Sequence, residues 1–366
     1  MKRIGYIYED IVSVENCKQA ILDASKKKKK RKSVSIILSD LDNYALLLSE
    51  KLKNLDFTSP YTKKMIKDGL SGKVRELQIP KFFPDQCSHH AIVRVLKPII
   101  LKSSYYWSCA NIPNRGIDHA AKGVERATKR DIKHCKYCVK LDISKFYPSI
   151  SHEVLKAKLQ EKIKDKKALK LLYTVIDSHD EGLPIGNYTS PWFAEFLLQP
   201  NDHMVKEKYN IRHYIRYDDY MVLIDNNKRK LRRALKGIME NLSSISLKLK
   251  GNYQLFKIQK KSNDNHKIGR KIDFVGRCFG LGFTTIRKRR ALALMRQSRL
   301  IQKLQKAHKK IPYKVASGFI SRCNAFKHTD SFKMKEKYYN PINIKELKET
   351  IRYESKRKSI TSTGIC

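Results

Sequence analysis

The sequence is short of three things: long apolar runs, a regular cysteine framework and acidic residues. No apolar run approaches the ~20 residues that a membrane-spanning helix needs, and no signal-peptide pattern opens the chain. The eight cysteines form no dense, regular framework, which is typical of a reduced, cytoplasmic protein. We therefore expect no membrane-spanning segment and no disulfide scaffold.

The scarcity of acidic residues leaves a large positive charge. There are 78 Lys and Arg against 35 Asp and Glu, a formal charge of +43, and the excess runs along most of the chain. A surface this positive repels itself unless it binds a polyanion, and nucleic acid fits better than the competing partner, an anionic membrane.

Hydrophobic residues make up 41% of the chain, which is too many for a disordered protein. The length of the chain allows two or three subdomains.

One acidic pair, Asp218 and Asp219, lies between two strand-like segments in this basic chain. Residues 211–217 and 220–224 are apolar, β-branched or aromatic, which predicts a hairpin with the pair at its bend. A plain turn accounts for the pair, because Asp tolerates turn geometry. A divalent ion such as Mg²⁺ between the carboxylates accounts for it equally, because close like charges repel unless a cation separates them.

A third carboxylate follows an earlier strand. In residues 138–150 the alternation puts Val139, Leu141 and Ile143 on one face and Asp142 on the other, so Asp142 lies at the end of a strand with a buried face. Tyr147 comes five residues later, just before the chain turns at a proline, and a helix follows. Asp142 and the later acidic pair form the set of carboxylates that a two-metal phosphoryl transferase needs.

Three further segments carry candidate binding residues. Lys73 and Arg75 are two apart on a predicted strand, so they share a face that suits a triphosphate or simply faces solvent. Residues 182–198 form a Gly- and Pro-punctuated loop that enters a helix with Ser190 as its predicted N-cap, and Gly186 in the loop permits close approach to a ligand. A predicted strand pair (246–254), a tight hairpin (271–280) and a basic helix (287–310) follow.

Taken in order, these motifs resemble those of bacterial and phage reverse transcriptases, from about Lys73 to Gly280. The matching segments are the fingers segment (73–85), the first palm motif (141–150), the Gly-rich palm motif (183–190), the Tyr-x-Asp-Asp box (217–220), and the later palm and primer-grip motifs (247–256 and 272–276). The string Leu-Pro-Ile-Gly-Asn-x-x-Ser is most similar to the enzymes of diversity-generating retroelements, with Ile185 where group II intron and retroviral enzymes have Gln.

The resemblance implies an α+β, right-hand polymerase and a role for each motif. Its parts would be a basic helical extension (1–60), fingers (61–140), a palm with an antiparallel sheet and part of the fingers inserted (141–285), and a helical basic thumb (286–366). The implied catalytic and metal-binding residues are Asp142, Ile143 through its carbonyl, Asp218 and Asp219, with two Mg²⁺ ions and Mn²⁺ as the alternative ion. The implied nucleotide-binding residues are Lys73, Arg75, Tyr147 as the steric gate, Ile185, Gly186 and Asn187. The implied primer- and template-binding residues are Phe274, Val275, Gly276, Arg287, Lys288 and Arg289.

The chain departs from the family pattern at three positions. An ungapped register places Asp218 on the variable position of the box, Asp219 on the first Asp and Tyr220 on the second. A one-residue slip would restore both Asp residues but would flip the side-chain faces along the strand, so we predict the ungapped register. Pro191 replaces the Gln usual in the retroelement subgroup, and Asn252 stands where many relatives have a Lys.

The implied function is RNA-templated DNA synthesis from dNTPs on a DNA or RNA primer, in the cytoplasm of a bacterial host. The subgroup resemblance implies a diversity-generating retroelement with an accessory protein. Two alternatives stay open: a phage-defence reverse transcriptase, and a nucleic-acid-binding protein that keeps the fold but has weakened catalysis.

Overall fold

The computed structural model describes residues 3–67, 72, 74–260 and 268–363. Lys73, which the resemblance assigns to triphosphate binding, lies outside these ranges. Within them, none of the helices is apolar enough over a sufficient length to span a bilayer.

Helices dominate the described ranges and flank three small sheets. The strands are β1 (Thr62–Lys67), β2 (Val74–Ile79), β3 (Tyr137–Asp142), β4 (His213–Tyr217), β5 (Tyr220–Asp225), β6 (Gln254–Lys257), β7 (Ile272–Phe274), β8 (Arg277–Gly280) and β9 (Phe283–Ile286). The α-helices are α1 (Tyr8–Val12), α2 (Val14–Ser25), α3 (Lys32–Ser39), α4 (Leu41–Lys53), α5 (Cys87–Lys102), α6 (Ile117–Glu125), α7 (Phe146–Ser149), α8 (His152–Lys162), α9 (Lys166–Asp177), α10 (Ser190–His203), α11 (Lys228–Ser244), α12 (Lys288–Lys306), α13 (Tyr313–Cys323), α14 (Phe332–Tyr338) and α15 (Ile344–Thr363).

The chain divides into two compact units, one of residues 1–120 with 139–255 and one of residues 121–138 with 256–366. Strands β1 and β2 form an antiparallel pair, a second sheet has the order β4-β5-β3-β6, and β7-β8-β9 form a meander. The mixture of helices and antiparallel strands confirms the predicted α+β class. The finer division into fingers, palm and thumb stays a prediction.

The core of the first unit lies around β5, which is flanked by β4 and β3. Its residues Met221 to Ile224 are fully buried, as expected for an apolar run whose two faces are both covered. Helix α11 packs against β5, and it begins where the Asn227 side chain accepts a hydrogen bond from the backbone of Lys230. The N-terminal helices pack together beside this core, with α2 against α4 and α5.

The second unit has its own core. Leu294 and Ile301 of α12 and Phe319 of α13 are fully buried in one apolar cluster. Leu294 and Ile301 form the inward stripe of α12, which carries many Lys and Arg residues at its other positions. The structure thus confirms the predicted basic helix from residue 287, which begins at Lys288.

Two local predictions were wrong. The predicted strand pair at 246–254 is absent, because Ser246 turns the chain with a φ of 60° and only Leu249 forms a bridge, to Ile143, before β6. The N-cap of α10 is Thr189 rather than Ser190. The Ser190 hydroxyl instead donates to the carbonyl of Pro184 at 2.8 Å, which closes the preceding loop.

We predict that Gly186→Ala disrupts the contact between the 185–187 loop and β2. Gly186 has a φ of +140°, and an added Cβ would overlap the carbonyl of Gln78, whose amide donates to the carbonyl of Ile185 at 2.9 Å. A strained backbone costs about 1–3 kcal/mol. Urea unfolding should show this loss, and hydrogen exchange should show a faster Gln78 amide.

Gly251→Ala is the matched control, because a Cβ there meets no atom within 4 Å and Gly251 has no positive φ. Equal stability and equal Gln78 exchange in the two variants would contradict this account of Gly186.

Candidate active site

The acidic pair occupies the two-residue turn between β4 and β5. The strands pair residue for residue from His213–Ile224 to Tyr217–Tyr220, so the ladder contains no bulge and no slipped residue. Asp218 has a φ of 58°, a conformation that Asp adopts more readily than most residues. The hairpin predicted from the sequence is confirmed, and the ungapped register of the box stays a prediction.

Asp142 lies beside this turn, because β3 runs next to β5. The amide of Ile143, the residue after β3, donates to the carbonyl of Asp219 at 3.3 Å. Residues 139, 141 and 143 are buried, as the alternation predicted, so Asp142 faces away from the core. The structure therefore confirms that one aspartate from an early strand and one from a later hairpin come together.

The electrostatics of the pair reflect crowding of negative charge. Burial, then the charges of Asp218 and Asp142, raise the pKa of Asp219 to about 7. Burial also raises the pKa of Asp218, while the Tyr147 hydroxyl and the charges of Arg216 and Arg75 oppose this rise. Arg75 of β2, predicted to bind a triphosphate, is therefore within electrostatic range of the turn.

A lysine that the sequence analysis missed lies at the same carboxylate. Lys250 Nζ is 2.6 Å from Asp142 Oδ2, and the Lys250 amide donates to the Asp142 carbonyl at 2.8 Å. The alternation of Leu247, Lys248 and Leu249 before it was the available signal, but this segment was predicted as part of a separate strand pair. Pairing with Asp142 could not be predicted from the spacing.

The carboxylates have the chemistry of a divalent-cation site. Asp142 Oδ1 is buried and has no hydrogen-bond partner among the described residues, and carboxylate oxygens are the ligands that Mg²⁺ prefers. The neighbouring Asp219 has a pKa raised to about 7, first by burial and then by the charges of Asp218 and Asp142. In the described ranges, no three His, Cys, Asp or Glu side chains form a ready-made metal cluster.

A buried cluster of charged residues is hydrogen-bonded to the backbone of the turn. Arg216 of β4 is 2% exposed, with Asp202 Oδ2 at 2.6 Å and Glu195 Oε2 at 2.8 Å from its Nη2 atom. Tyr214 and Ser108 donate further hydrogen bonds to Asp202 and Glu195. The remaining guanidinium nitrogen, Nη1, donates to the backbone carbonyl of Asp218 at 3.1 Å. The sequence analysis missed this cluster, since its members are far apart in the chain.

Tyr147, the predicted steric gate, contacts the turn directly. It lies in α7, and its hydroxyl donates to Asp218 Oδ1 at 3.0 Å. Burial, then the charge of Asp218 and this hydrogen bond, raise the pKa of Tyr147 well above its ordinary value. The phenol therefore remains a hydrogen-bond donor at any physiological pH.

One side of the 185–187 loop packs against strand β2. The carbonyl of Ile185 accepts from Gln78, and Gly186 lies against the same strand. Asn187 is buried; its Nδ2 donates to the Tyr61 hydroxyl at 2.8 Å, and its Oδ1 has no hydrogen-bond partner among the described residues. Nucleotide binding by this loop stays a prediction.

The predicted primer- and template-binding residues belong to the second unit. The Phe274 side chain is fully buried, while Val275 and Gly276 form the turn between β7 and β8 with φ values of 43° and 82°. Arg287 forms an ion pair with Asp273 at 2.6 Å, and Lys288 and Arg289 are exposed at the start of α12. Contacts of Phe274 with a primer would therefore be made by its backbone.

Comparison with known proteins agrees with this geometry. Residues 63–259 match the family model described as reverse transcriptase (RNA-dependent DNA polymerase). Among curated proteins, the chain is 31% identical over 136 residues to the retron Ec73 reverse transcriptase of Escherichia coli, covering 34% of this chain and 43% of that protein. It is 24% identical over 154 residues to protein YkfC of E. coli K12, covering 38% of this chain and 39% of that protein. The chain thus spans about two fifths of the length of these relatives.

Solved structures with some likeness include two telomerases. The apo telomerase of Candida tropicalis truncated from its C-terminal domain has 14% identity and a TM-score of 0.45, covering 63% of this chain and 56% of that one. The Candida albicans telomerase in complex with a telomeric RNA fragment has 12% identity and a TM-score of 0.45, covering 79% of this chain and 56% of that one.

We predict that Arg216→Met lowers the free energy of unfolding by about 3–5 kcal/mol, because it leaves two carboxylates buried without their cation. Chemical denaturation measures this loss. Replacing Asp202 by Asn and Glu195 by Gln in the same chain should recover part of it, since both charges are then removed.

Arg229→Met on the exposed face of α11 is the control and should change the free energy of unfolding by less than about 0.5 kcal/mol. An Arg216→Met variant as stable as this control would show that the cluster contributes nothing net.

We also predict a pH-dependent effect of Asp219→Asn in metal-free protein. A carboxyl whose pKa rises on folding, here from 3.8 to about 7, favours the folded state below its unfolded pKa, and this contribution is lost as pH rises through the folded value. The neutral variant should therefore gain stability relative to the unaltered chain between pH 4 and about 7. Unfolding in a chelator at several pH values tests this, and a pH-independent difference would contradict it.

Proposed function

The chain belongs to the reverse transcriptase family, and from this premise we propose that it is an RNA-directed DNA polymerase, a nucleotidyltransferase that extends a primer 3′-hydroxyl with dNTPs on an RNA template. The observation that carries the proposal is the backbone hydrogen bond between Ile143 and Asp219, which brings the end of β3 and the acidic hairpin together.

Asp142, Asp219 and the Ile143 carbonyl are the proposed ligands of two Mg²⁺ ions, with Mn²⁺ as the alternative ion, and Asp218 lies next to them in the turn. When bound, such ions lower the pKa of an attacking hydroxyl and neutralise the charge of the triphosphate and leaving group. Until then, Lys250 supplies a cation to Asp142, and metal binding would compete with this ion pair.

The proposed nucleotide site is made by the chain's own side chains around the turn. Arg75, together with Lys73, would hold the triphosphate by charge-assisted hydrogen bonds. The Tyr147 ring would fill the space that a ribose 2′-hydroxyl needs, and residues 185–187 would lie against the nascent base pair. Support comes from the charge of Arg75 acting on Asp218 and from the Tyr147 contact with that residue.

Template and primer binding is proposed for the basic surfaces. The formal charge of +43 suits a phosphate backbone, and such binding should weaken steeply with salt. The 274–276 turn would contact the primer, and Arg287, Lys288 and Arg289 would contact phosphates along the duplex.

For the biological setting, we propose a diversity-generating retroelement with an accessory protein, on the strength of the Leu-Pro-Ile-Gly-Asn-x-x-Ser motif. The similarity to a retron enzyme supports the chemistry without favouring this setting. Neighbouring genes decide the question: an adenine-substituted repeat pair supports the proposal, and a phage-defence cluster contradicts it.

A second candidate is an RNA-binding protein with weakened catalysis. It is favoured by Tyr220, which stands at the second Asp of the box and has Lys140 Nζ 5.6 Å from its ring centroid. This candidate predicts salt-sensitive RNA binding that survives the loss of Asp142 and Asp219, with no polymerisation.

We predict that Asp142→Ala and Asp219→Ala each lower dNTP incorporation on a primed RNA template by more than about 100-fold, because each removes a ligand of the catalytic ions. Primer extension with Mg²⁺ or Mn²⁺ measures the rate. Asp56→Ala, at an exposed residue in an ion pair with Lys51, is the control and should extend normally.

No incorporation by the unaltered chain at any divalent ion would overturn the polymerase proposal and leave the RNA-binding candidate. Full activity of Asp142→Ala would overturn the assignment of this site.

A further inference from the structure

The side chain and backbone of Tyr147 are both fixed by hydrogen bonds. Lys145, just before α7, has a φ of 44°, so the chain bends sharply between β3 and the tyrosine. The Tyr147 carbonyl accepts from the amide of Leu183 at 2.8 Å. At the other end of the residue, the hydroxyl donates to Asp218 Oδ1 at 3.0 Å. The ring is thereby held at its base and at its tip.

The acceptor of this hydroxyl is itself held in place. Asp218 is the first residue of a two-residue turn and has a left-handed φ of 58°. Its carbonyl accepts from Arg216 Nη1 at 3.1 Å, and Arg216 is fixed by the buried carboxylates of Asp202 and Glu195. The buried cluster therefore fixes the backbone that carries the Asp218 carboxylate.

The two adjacent aspartates have different neighbours. The carbonyl of Asp219 accepts a hydrogen bond from the amide of Ile143, and burial, then the charges of Asp218 and Asp142, raise the pKa of its carboxyl. Asp218 instead has the Tyr147 hydroxyl as its side-chain partner. A carboxylate oxygen engaged by a phenol is less available to a cation than one without a partner.

We infer that Asp218 is a positioning residue for sugar selection: it holds the Tyr147 hydroxyl so that the ring closes the space beside the 2′ carbon of an incoming nucleotide. The inference rests on the proposed polymerase function and deepens it. The two adjacent aspartates then have different roles: Asp219 binds the metal ions, and Asp218 accepts the hydrogen bond from Tyr147.

The test is the ratio of kcat/KM for a dNTP to kcat/KM for the matching ribonucleotide, measured with the full chain on a primed RNA template. Tyr147→Phe keeps the ring and removes the donor, and Asp218→Ala removes the acceptor. Each should lower the ratio about tenfold, the size expected for one charge-assisted hydrogen bond. The double variant should lower it no further, because both changes break the same contact.

Asp218→Asn keeps an oxygen acceptor and should lower the ratio only about threefold, because a neutral hydrogen bond is about half as strong as a charge-assisted one. Tyr6→Phe, at an exposed tyrosine of the N-terminal segment, is the matched control and should leave the ratio unchanged.

A second readout does not depend on activity. In metal-free protein with ¹³C-labelled tyrosine, the ring-carbon resonance that disappears in Tyr147→Phe should shift in Asp218→Ala and stay in place in Asp56→Ala. This separates a broken contact from a global loss of structure, which would move many tyrosine resonances.

The outcomes are distinct. An unaltered chain that incorporates no nucleotide overturns the proposed function and the sugar-selection role with it. Incorporation with an unchanged ratio in Asp218→Ala overturns the positioning role alone. If Asp218→Ala incorporates neither the dNTP nor the ribonucleotide, while Tyr147→Phe keeps the normal ratio of kcat/KM values, Asp218 would be a metal ligand instead.

Discussion

The structure around the candidate site depends on one buried cation. Arg216 lies at the end of β4 with two buried carboxylates on one side and the carbonyl of Asp218 on the other. Removing such charges from water is costly, and only good geometry with further hydrogen bonds compensates for it. The donors from Tyr214 and Ser108 supply those bonds. The cluster therefore fixes the turn that carries the acidic pair.

The charges at the turn itself are not balanced in this way. Three carboxylates, Asp142, Asp218 and Asp219, lie close together without a matching set of cations. Lys250 neutralises one oxygen of Asp142, while the other oxygen has no partner among the described residues. Burial, and after it the charges of Asp218 and Asp142, raise the pKa of Asp219. In a chain with a formal charge of +43, these carboxylates concentrate negative charge at one place, which is the charge distribution expected if the proposed metal ions and nucleic acid bind.

Sequence patterns predicted the parts of this site that depend on local periodicity. The β4–β5 hairpin follows from two apolar runs around Asp218 and Asp219, and the outward direction of Asp142 follows from alternation along β3. Tertiary pairings were not predictable in this way. Lys250 contacts Asp142 across 108 positions, and Arg216 of β4 contacts Glu195 of α10, so no spacing rule connects them. The predicted strand pair at 246–254 failed for the same reason, since the backbone of Lys250 bonds to Asp142 instead.

Two requirements explain why residue 218, the first of the turn, is an aspartate. The turn needs a residue that tolerates a φ of 58°, which favours Gly, Asn or Asp. Gly offers no side chain to the Tyr147 hydroxyl, whereas the carboxylate of Asp218 accepts from it. A carboxylate also adds repulsion beside Asp219, but the phenol, Arg216 and Arg75 all lower the pKa of Asp218 against the effect of burial. Asp218 is thus tolerated beside Asp219 because its neighbours include one hydrogen-bond donor and two cations. The two adjacent acids at this turn therefore have different partners.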